Sequence, residues 1–269
     1  MQLQDKVIVI TGSTRGIGRA AAEACAAEGA RVVVSSRNEQ AVRETVDALK
    51  QRGFSVSGIR ADVTLHADLE RLLQHAIQTW GRVDVWVNNA GVSSGLRPLE
   101  EISEEEITEV VSINLVGTLK ACRLVIPYFQ QAGGGIIINL TGKGGRGEAS
   151  GFTAVYACTK AAITSLTKSL AEENKTHRIS IHAALPGMVA TDFYKDMKTS
   201  PRLATMSANV PYVLDAIGVP LEVAGRLFVT IAAQEPGKVT GKVYSAFSGM
   251  RMMRGMTKLM RYRAGGKLK

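Results

Sequence analysis

The sequence predicts an α/β fold: a single domain built on a doubly wound parallel sheet of about seven strands, with helices on both faces. Three observations lead to this fold class. Short runs of β-branched and other apolar residues alternate along the chain with longer stretches of helical composition. Strand candidates such as VIVI, VVV and IIIN show no polar alternation, which is typical of strands covered on both faces. The first of them runs directly into a glycine-rich turn and an alanine-rich helix.

Each element follows from its own segment. We expect strands at residues 6–11, 31–36, 55–60, 83–87, 135–140, 179–185 and 239–245. We expect helices from the glycine-rich turn to residue 28 and at residues 39–51, 65–80, 104–130, 153–174 and 221–233. Ser103 followed by Glu106 has the form of a capping box and marks the start of the fourth helix. Right-handed crossovers then bring all the strands into one sheet.

Composition and charge limit the classes of function. The chain has 269 residues, of which 45% are hydrophobic and 21% charged, as in a globular protein with a sizeable core. Its formal net charge is +9, but residues 250–269 hold seven basic and no acidic residues, so that only +2 remains for residues 1–249. We therefore expect no nucleic-acid partner. The histidines and cysteines show no ligand spacing, and no metal site is predicted.

Two sequence features bear on location. No apolar run reaches the roughly 18 residues that span a bilayer. The first five residues also lack the basic start of a secretory signal. A cytoplasmic protein is the expectation.

The chain divides into a domain, residues 1–249, and a tail, residues 250–269. Residues 188–219 are the least regular part of the domain, because Pro201, Pro211 and Pro220 are expected to break any long helix. They follow the sixth strand, and loops at the carboxyl ends of parallel strands bind substrates, so they are the candidate substrate lid.

The tail is basic and amphipathic. Wound as a helix, it collects its apolar residues on one side, namely Met252, Met253, Met256, Leu259 and Met260. Such a face suits a subunit interface, a cover over an apolar substrate, or an anionic membrane. We favour an interface or a cover over peripheral membrane contact, because the stretch is short.

The glycine-rich turn is a candidate nucleotide-binding loop. Its sequence, Gly12-Ser13-Thr14-Arg15-Gly16-Ile17-Gly18, allows the backbone to approach a pyrophosphate at the start of a helix, although the spacing differs from Gly-x-Gly-x-x-Gly. NAD-binding proteins place an acid at the end of the second strand, where this chain has Ser36-Arg37. Arg15 and Arg37 can converge on a 2′-phosphate with no carboxylate to repel it, so the sequence predicts NADP(H).

Tyr156 and Lys160 form a candidate catalytic pair. They are four residues apart in a predicted helix, so their side chains share one face. A phenol has a pKa of about 10, and a nearby ammonium favours the phenolate. We therefore predict that Lys160 lowers the pKa of Tyr156. The alternative is a tyrosine packed in the core beside an exposed lysine. The surrounding motifs must decide between these two interpretations.

Six motifs follow one another along the chain: Thr11-Gly12 with Gly16-Ile17-Gly18, Asp62-Val63, Asn88-Asn89-Ala90-Gly91, Asn114, Tyr156-x-x-x-Lys160 and Pro186-Gly187. In this order they resemble the motifs of the classical short-chain dehydrogenase/reductase family, over about residues 5–249. The resemblance implies a Rossmann-type fold, a nicotinamide cofactor and a small-molecule carbonyl or alcohol substrate. It also implies a homotetramer or homodimer, built partly from the helices at 104–130 and 153–174.

The resemblance implies roles for individual residues. Asp62 would bond the adenine amino group and Val63 would flank the ring. Lys160 would hold the nicotinamide ribose, and Asn114 would position a water in a proton relay. Beside the fourth strand, the cofactor would be supported by Asn88, Asn89, Ala90 and Gly91. Against the nicotinamide would lie Pro186, Gly187, Val189 and Thr191.

The chain departs from this family's pattern at one catalytic position. The family has a serine just after the fifth strand, where this chain has Gly142, with Lys143 at the strict spacing. A missing oxyanion donor typically costs on the order of 10²–10³ in rate. We favour Thr141 as its replacement. Ser150, Lys143, a substrate group or a water are the alternatives, and a structural role for Thr141 at the strand end also stays open.

The function implied is an NADP(H)-dependent oxidoreductase that interconverts a carbonyl and an alcohol, more often as a reductase. The glycines around Lys143 have no side chains. They either leave room beside the site for a largely apolar, bulky substrate or make this segment a flexible surface loop. The alternative is a nucleotide-binding scaffold or sensor that lost efficient turnover with the serine.

Overall fold

In the computed structural model, the described residues are 1–195, 197–247 and 249–268, and of residues 195, 250 and 251 the backbone alone is described. Seven strands are present among them: β1 Val7–Ile10, β2 Arg31–Ser36, β3 Val56–Arg60, β4 Val85–Asn88, β5 Gly135–Leu140, β6 Ile179–Leu185 and β7 Val243–Ser245. All pair in parallel, in the order β3-β2-β1-β4-β5-β6-β7. The order reverses beside β1, where β4 lies opposite β2. The predicted doubly wound sheet is confirmed.

Helices flank this sheet. They are α1 Gly16–Ala27, α2 Glu39–Gln51, α3 His66–Trp80, α4 Glu104–Val111, α5 Gly117–Gln131, α6 Ala154–Glu173, α7 Asp192–Lys195, α8 Ala204–Ile217, α9 Leu221–Ala232 and α10 Gly249–Ala264. The capping box predicted at Ser103 and Glu106 is formed at the start of α4.

The core has two halves, one on each face of the sheet. Ile8 of β1 packs in the half that includes residues of α1, α2 and α9. Val9, the next residue, packs in the half that includes residues of α3, α5 and α6. Since successive side chains of a strand point to opposite faces, this arrangement requires apolar residues at consecutive positions. It explains why the strands lack polar alternation.

The predicted long helix at 104–130 is interrupted. Between α4 and α5 the residues Ser112–Val116 form a π-helical segment, and such segments often lie at functional sites. The run Glu104–Gln131 is long and apolar enough to cross a membrane by length and composition, contrary to the expectation from apolar runs alone. Its residues Ile113, Val125 and Phe129 belong to the core, and we interpret it as a core helix.

The lid contains a helix that the sequence interpretation missed. The expectation that prolines exclude a long helix from residues 188–219 is wrong, because α8 has 14 residues and includes Pro211. Helix α8 packs against α10, and tertiary packing of this kind overrides the low helix propensity of one proline. The last strand is shorter than predicted and begins only at Val243, just after Gly241, whose φ of 74° belongs to a turn.

Candidate active site

The glycine-rich loop between β1 and α1 is held from two sides. The Ser13 hydroxyl donates to Ile10 O at 2.7 Å and accepts from Ser35 N of β2 at 3.0 Å. The Asn89 amide donates to Thr11 O at 2.8 Å and to Gly12 O at 2.9 Å. The motif after β4 therefore braces the loop. The Thr11 hydroxyl completes this brace by accepting from the backbone N–H groups of Asn89 and Ala90.

Close packing explains the glycines of this loop. A Cβ on Gly18 would lie 2.4 Å from both Asn89 Nδ2 and Gly12 O, and one on Gly12 would lie 2.9 Å from Ala90 Cα. Gly12 and Gly16 also have φ of 62° and 55°, in the left-handed region. Arg15 precedes α1, and the first turn of α1 contains no acidic residue. The loop thus offers a helix start that suits an anion. Thr14 and Ile17 are half-buried beside it.

The cationic edge at the end of β2 is larger than predicted. Arg15 and Arg37 are exposed, and Ser36 lies at the strand end with its hydroxyl accepting from Asn38 N. Arg60, which the sequence interpretation missed, donates from Nε to Arg37 O at 3.2 Å. The expectation that no carboxylate lies nearby is wrong, because Glu109 Oε1 is 3.9 Å from Arg37 Nη1. Both side chains of that pair are more than half exposed, so the pair is weak.

Asp62 and Val63 lie just beyond β3. The Asp62 carboxylate accepts from the backbone N–H of Thr64 at 2.9 Å and from its hydroxyl at 2.8 Å. Val63 is 8% exposed and packs on Gly117. A Cβ on Gly117 would lie 2.9 Å from Val63 Cγ2. The two residues stand at the carboxyl edge of the sheet, and their contacts with adenine stay a prediction.

Asn114 lies in the π-helical segment and is fully buried. Its Oδ1 accepts from Val92 N at 2.8 Å, and its Nδ2 donates to Val92 O at 2.9 Å and to Thr159 Oγ1 at 3.2 Å. The side chain thus ties the segment after β4 to α6. Because its polar atoms are taken up in this way, the side chain positions the backbone, and the proposed contact with a water stays a prediction.

Lys160 is buried behind the site, with 2% of its surface exposed. Its Nζ donates to Leu140 O at 2.9 Å, and burial lowers the pKa of Lys160 to about 8. A Cβ on Gly91 would lie 3.6 Å from Lys160 Nζ and 3.3 Å from Asn114 Oδ1. Gly91 therefore adjoins both polar groups, and a Cβ there would be a tight contact with Asn114 and an ordinary one with Lys160.

Tyr156 lies above Lys160, whose Nζ is 5.4 Å from the centre of the tyrosine ring. Burial raises the pKa of Tyr156, and Tyr194 of α7 raises it further. The structure therefore contradicts the prediction that Lys160 lowers this pKa: the ammonium stands over the ring and bonds to a carbonyl, and removal from water dominates. The Phe193 ring covers Tyr156, with the ring centres 5.6 Å apart.

Gly142 lies directly against the tyrosine hydroxyl. A Cβ at this position would be 2.5 Å from Tyr156 Oη, which is closer than a Cβ atom approaches a non-bonded oxygen. The neighbouring Thr141 is 2% exposed, and its hydroxyl contacts Lys160 O at 3.1 Å and Thr164 Oγ1 at 2.9 Å. These contacts are those of a structural strand-end threonine, and they do not support Thr141 as the replacement for serine. Ser150 bonds to Thr153 instead.

The segment after β6 meets both halves of the site. Pro186 is buried, and Gly187 has a φ of 82° with Val219 and Phe247 packed against it. Val189 is 2% exposed. A Cβ on Gly16 would lie 3.5 Å from Thr191 Cγ2, so the start of the lid reaches the glycine-rich loop.

Phe193 and Tyr194 follow at once in α7, where the Phe193 ring packs on Tyr156 and Tyr194 lies close enough to raise its pKa. They were not predicted, and the signal available was a pair of aromatic residues two positions after Thr191.

Comparison with known proteins agrees with this geometry. The family model described as short chain dehydrogenase matches residues 6–202. The chain is 35% identical over 232 residues to an L-fucose dehydrogenase of Oryctolagus cuniculus, covering 85% of this chain and 79% of the relative. It is 33% identical over 256 residues to a 3beta-hydroxysteroid dehydrogenase of Eggerthella lenta, covering 94% and 96%.

A third relative is longer than this chain. It is a probable chlorophyll(ide) b reductase of Oryza sativa subsp. japonica, 38% identical over 203 residues. The match covers 69% of this chain and only 40% of the relative. The family model spans the glycine-rich loop, Asn114, Tyr156 and Lys160 alike. This chain therefore belongs to the short-chain dehydrogenase/reductase family of nicotinamide-dependent oxidoreductases.

Proposed function

We propose that this protein is an NADP(H)-dependent reductase that converts a carbonyl group to an alcohol on a wide, largely apolar substrate. One observation carries the proposal. Tyr156 stands at the carboxyl edge of the sheet between Gly142 and the Phe193 ring of the lid, with the buried Lys160 Nζ 5.4 Å from the centre of its ring.

The residues that would hold the nucleotide fit NADP(H). The glycine-rich loop and the start of α1 suit a pyrophosphate, and Gly91 lies beside Lys160 where a ribose would pass. Arg15 and Arg37 supply positive charge around the end of β2, where no acid stands in the strand itself, whereas Arg60 is paired with the buried Asp68 at 3.7 Å. A guanidinium suits a 2′-phosphate, and the exposed Glu109 is a weak competitor for Arg37.

The chain's own residues would then act as follows. When bound, NADPH supplies a hydride to the carbonyl carbon of the substrate. Tyr156 donates its proton to the carbonyl oxygen, because a tyrosine phenol still carries its proton at neutral pH. Lys160 holds the ribose and places its positive charge 5.4 Å from the centre of the Tyr156 ring. Asn114 fixes the segment after β4 against α6.

The substrate class rests on the lid and on Gly142. Phe193, Tyr194 and Phe247 face the site or its border, which favours an apolar substrate. Gly142 leaves the side next to the Tyr156 hydroxyl without a side chain, whereas the buried Gly144 and Gly145 pack on Ala157 and Thr141. The names of the relatives refer to a sugar, a steroid and a chlorophyll(ide), so they do not favour one class by themselves.

The test is turnover of a panel of aliphatic, aromatic and polycyclic ketones and aldehydes with NADPH and with NADH. We expect Tyr156→Phe to abolish turnover while NADPH still binds. Arg37→Gln should weaken NADPH about tenfold, since it removes one charge-assisted hydrogen bond, and leave NADH nearly unchanged. Arg43→Gln, which removes an exposed arginine from α2, is the matched control.

Two results would contradict the proposal. Equal losses for NADH and NADPH in Arg37→Gln would refute the assignment of NADP(H). Tight binding of NADPH with no turnover of any carbonyl, in wild type and Tyr156→Phe alike, would instead indicate a nucleotide-binding scaffold or sensor, the function that the absence of a serine at Gly142 favours.

We also propose a homodimer or homotetramer that uses α4, α5 and α6. Leu119 of α5 is 41% exposed, and Cys158 of α6 is exposed, so this surface keeps apolar groups in contact with solvent. Light scattering should give a mass of two or four chains. Leu119→Lys should shift the mass toward that of one chain. An unchanged mass would show that the interface uses another surface.

A further inference from the structure

The tail helix α10 is fixed to the lid by one of its sides. A Cβ on Gly255 would lie 2.5 Å from Ile217 Cγ2, so the backbones of α10 and α8 approach closely there. Lys258 Nζ is 2.9 Å from the Asp215 carboxylate, to which the Tyr262 hydroxyl also donates. The Tyr262 ring packs on Tyr212 with centres 5.4 Å apart. These contacts set which side of α10 faces outward.

The outward side is a row of methionines. Met252, Met253, Met256 and Met260, which we call the methionine face, are 50%, 72%, 51% and 62% exposed. Met252 and Met253 are adjacent and Met256 and Met260 follow at intervals of three and four residues, which places all four on one broad stripe of the helix. Single exposed apolar residues are normal on a protein surface, but four on one stripe form a patch of the kind that binds a partner.

Positive charge lies on the remaining exposed surface of α10 and just beyond its end. Arg254, Arg261, Arg263 and Lys267 are exposed. No ion pair with a described residue engages these four groups, whereas Lys258 is neutralised by Asp215 on the packed side. Residues 250–269 contain no acid, and they hold seven of the charges that make up the net +9 of the chain. The patch is therefore both apolar and strongly cationic.

We propose that the methionine face docks on an anionic phospholipid bilayer. The helix would lie in the plane of the surface, with the methionines in the acyl boundary and the arginines on lipid phosphates. A second copy of the chain fits less well, because pairing two such helices would bring two clusters of like charge together. The packing of α10 on α8 would place the substrate lid beside the lipid surface.

The experiment measures sedimentation of the full chain with vesicles of phosphatidylcholine alone and of phosphatidylcholine with about 30% phosphatidylglycerol, an anionic fraction that gives a strongly negative surface. We expect binding to the anionic vesicles and little to the neutral ones. Binding should weaken steeply at about 0.5 M salt, where the Debye length is only a few ångströms.

Two variants separate the apolar and the charged parts. Met253→Ser/Met256→Ser/Met260→Ser should lower vesicle partitioning more than about tenfold, since three apolar side chains no longer enter the boundary. Arg254→Gln/Arg261→Gln should lower it by about fivefold per arginine. Arg43→Gln/Lys50→Gln removes the same charge from α2 and should change it little.

Several results would overturn the proposal. They are an absence of wild-type binding to anionic vesicles, equal binding of all variants, or an equal loss in the α2 control. A change of molecular mass in the methionine variant without a change in vesicle binding would make the methionine face a subunit interface instead. The arginine variant and the salt series keep the test decisive if the methionine variant fails to fold, which thermal unfolding would show.

Discussion

Adding a single carbon at Gly142 should displace Tyr156 by a distance that follows from the structure. The new Cβ would lie 2.5 Å from Tyr156 Oη, and ordinary contact begins at 3.4 Å, so the hydroxyl or the strand end must move by nearly an ångström. A misplacement of about 1 Å costs on the order of 10²-fold in rate. We expect Gly142→Ala to lower kcat/KM by about that factor.

Gly142→Ser adds the same carbon together with a hydroxyl. An oxyanion donor is worth on the order of 10²–10³ in rate, which is similar in size and opposite in sign to the loss from displacement. The serine variant should therefore turn over far faster than the alanine variant and come close to wild type. The ratio of the two rates measures what the hydroxyl contributes once the tyrosine has moved.

The assay is initial-rate reduction of the best carbonyl substrate with NADPH, with thermal unfolding measured in parallel. Gly151→Ala is the control, since nothing lies within 4 Å of a Cβ at that position of the same loop. Full activity of Gly142→Ala would show that the tyrosine hydroxyl does not occupy this volume during the reaction. Equal losses in the alanine and serine variants would show that the added hydroxyl does not polarise the carbonyl.

Three further predictions concern charge and packing. Burial lowers the pKa of Lys160 from 10.5 to about 8. Between these pH values the unfolded state binds more protons than the folded state, so the free energy of unfolding of wild type should rise with pH. The gain relative to Lys160→Met should reach about 3 kcal/mol across this window. An unchanged difference in the free energy of unfolding would contradict this. Burial likewise lowers the pKa of His182 from 6.5 to about 4, so stability should fall by up to about 3 kcal/mol as pH drops through that range, and His182→Phe should lack this loss in acid denaturation. Gly255→Leu should push α10 off α8 and speed proteolysis of the tail about tenfold by lowering its local stability, whereas Gly249→Ala, with open space around its Cβ, should not; equal cleavage rates would show that this contact does not hold the tail.

Most of the fold could be predicted because the strands are covered on both faces. Runs such as Ile136, Ile137 and Ile138 leave no alternative to a doubly covered sheet, and the parallel order follows from the helices between strands. The lid could not be predicted in this way. Helix α8 contains Pro211 and is held by packing on α10, a contact between segments whose pairing nothing local in the sequence indicates.

Parts of the site that depend on one local motif could be predicted from the sequence. Contacts between side chains of different segments could not. The glycine-rich loop lies between β1 and α1, Asn114 in the π-helical segment and Lys160 in α6, and their contacts with a cofactor stay predictions. Thr141 turned toward α6, because the Lys160 carbonyl and Thr164 are its nearest partners. Glu109 came close to Arg37 although 72 residues separate them, as read from the sequence. Such encounters depend on tertiary packing.

The state of Tyr156 bears on the direction of the reaction. A general base must lose its proton before it acts, whereas a general acid must keep it, and burial, which raises the pKa of Tyr156, leaves the tyrosine in its acid form at neutral pH. Lys160 points its ammonium at Leu140 O and stands over the tyrosine ring, so it offers positive charge without taking the phenolic proton. Together with the arginines that suit NADPH, this arrangement favours proton donation to a carbonyl oxygen. The same reasoning requires reduction to remain fast toward neutral pH and oxidation to improve only as pH rises, so a pH–rate profile measured in both directions decides it: an oxidation rate already maximal at neutral pH would mean that the tyrosine gives up its proton far more readily than its burial implies.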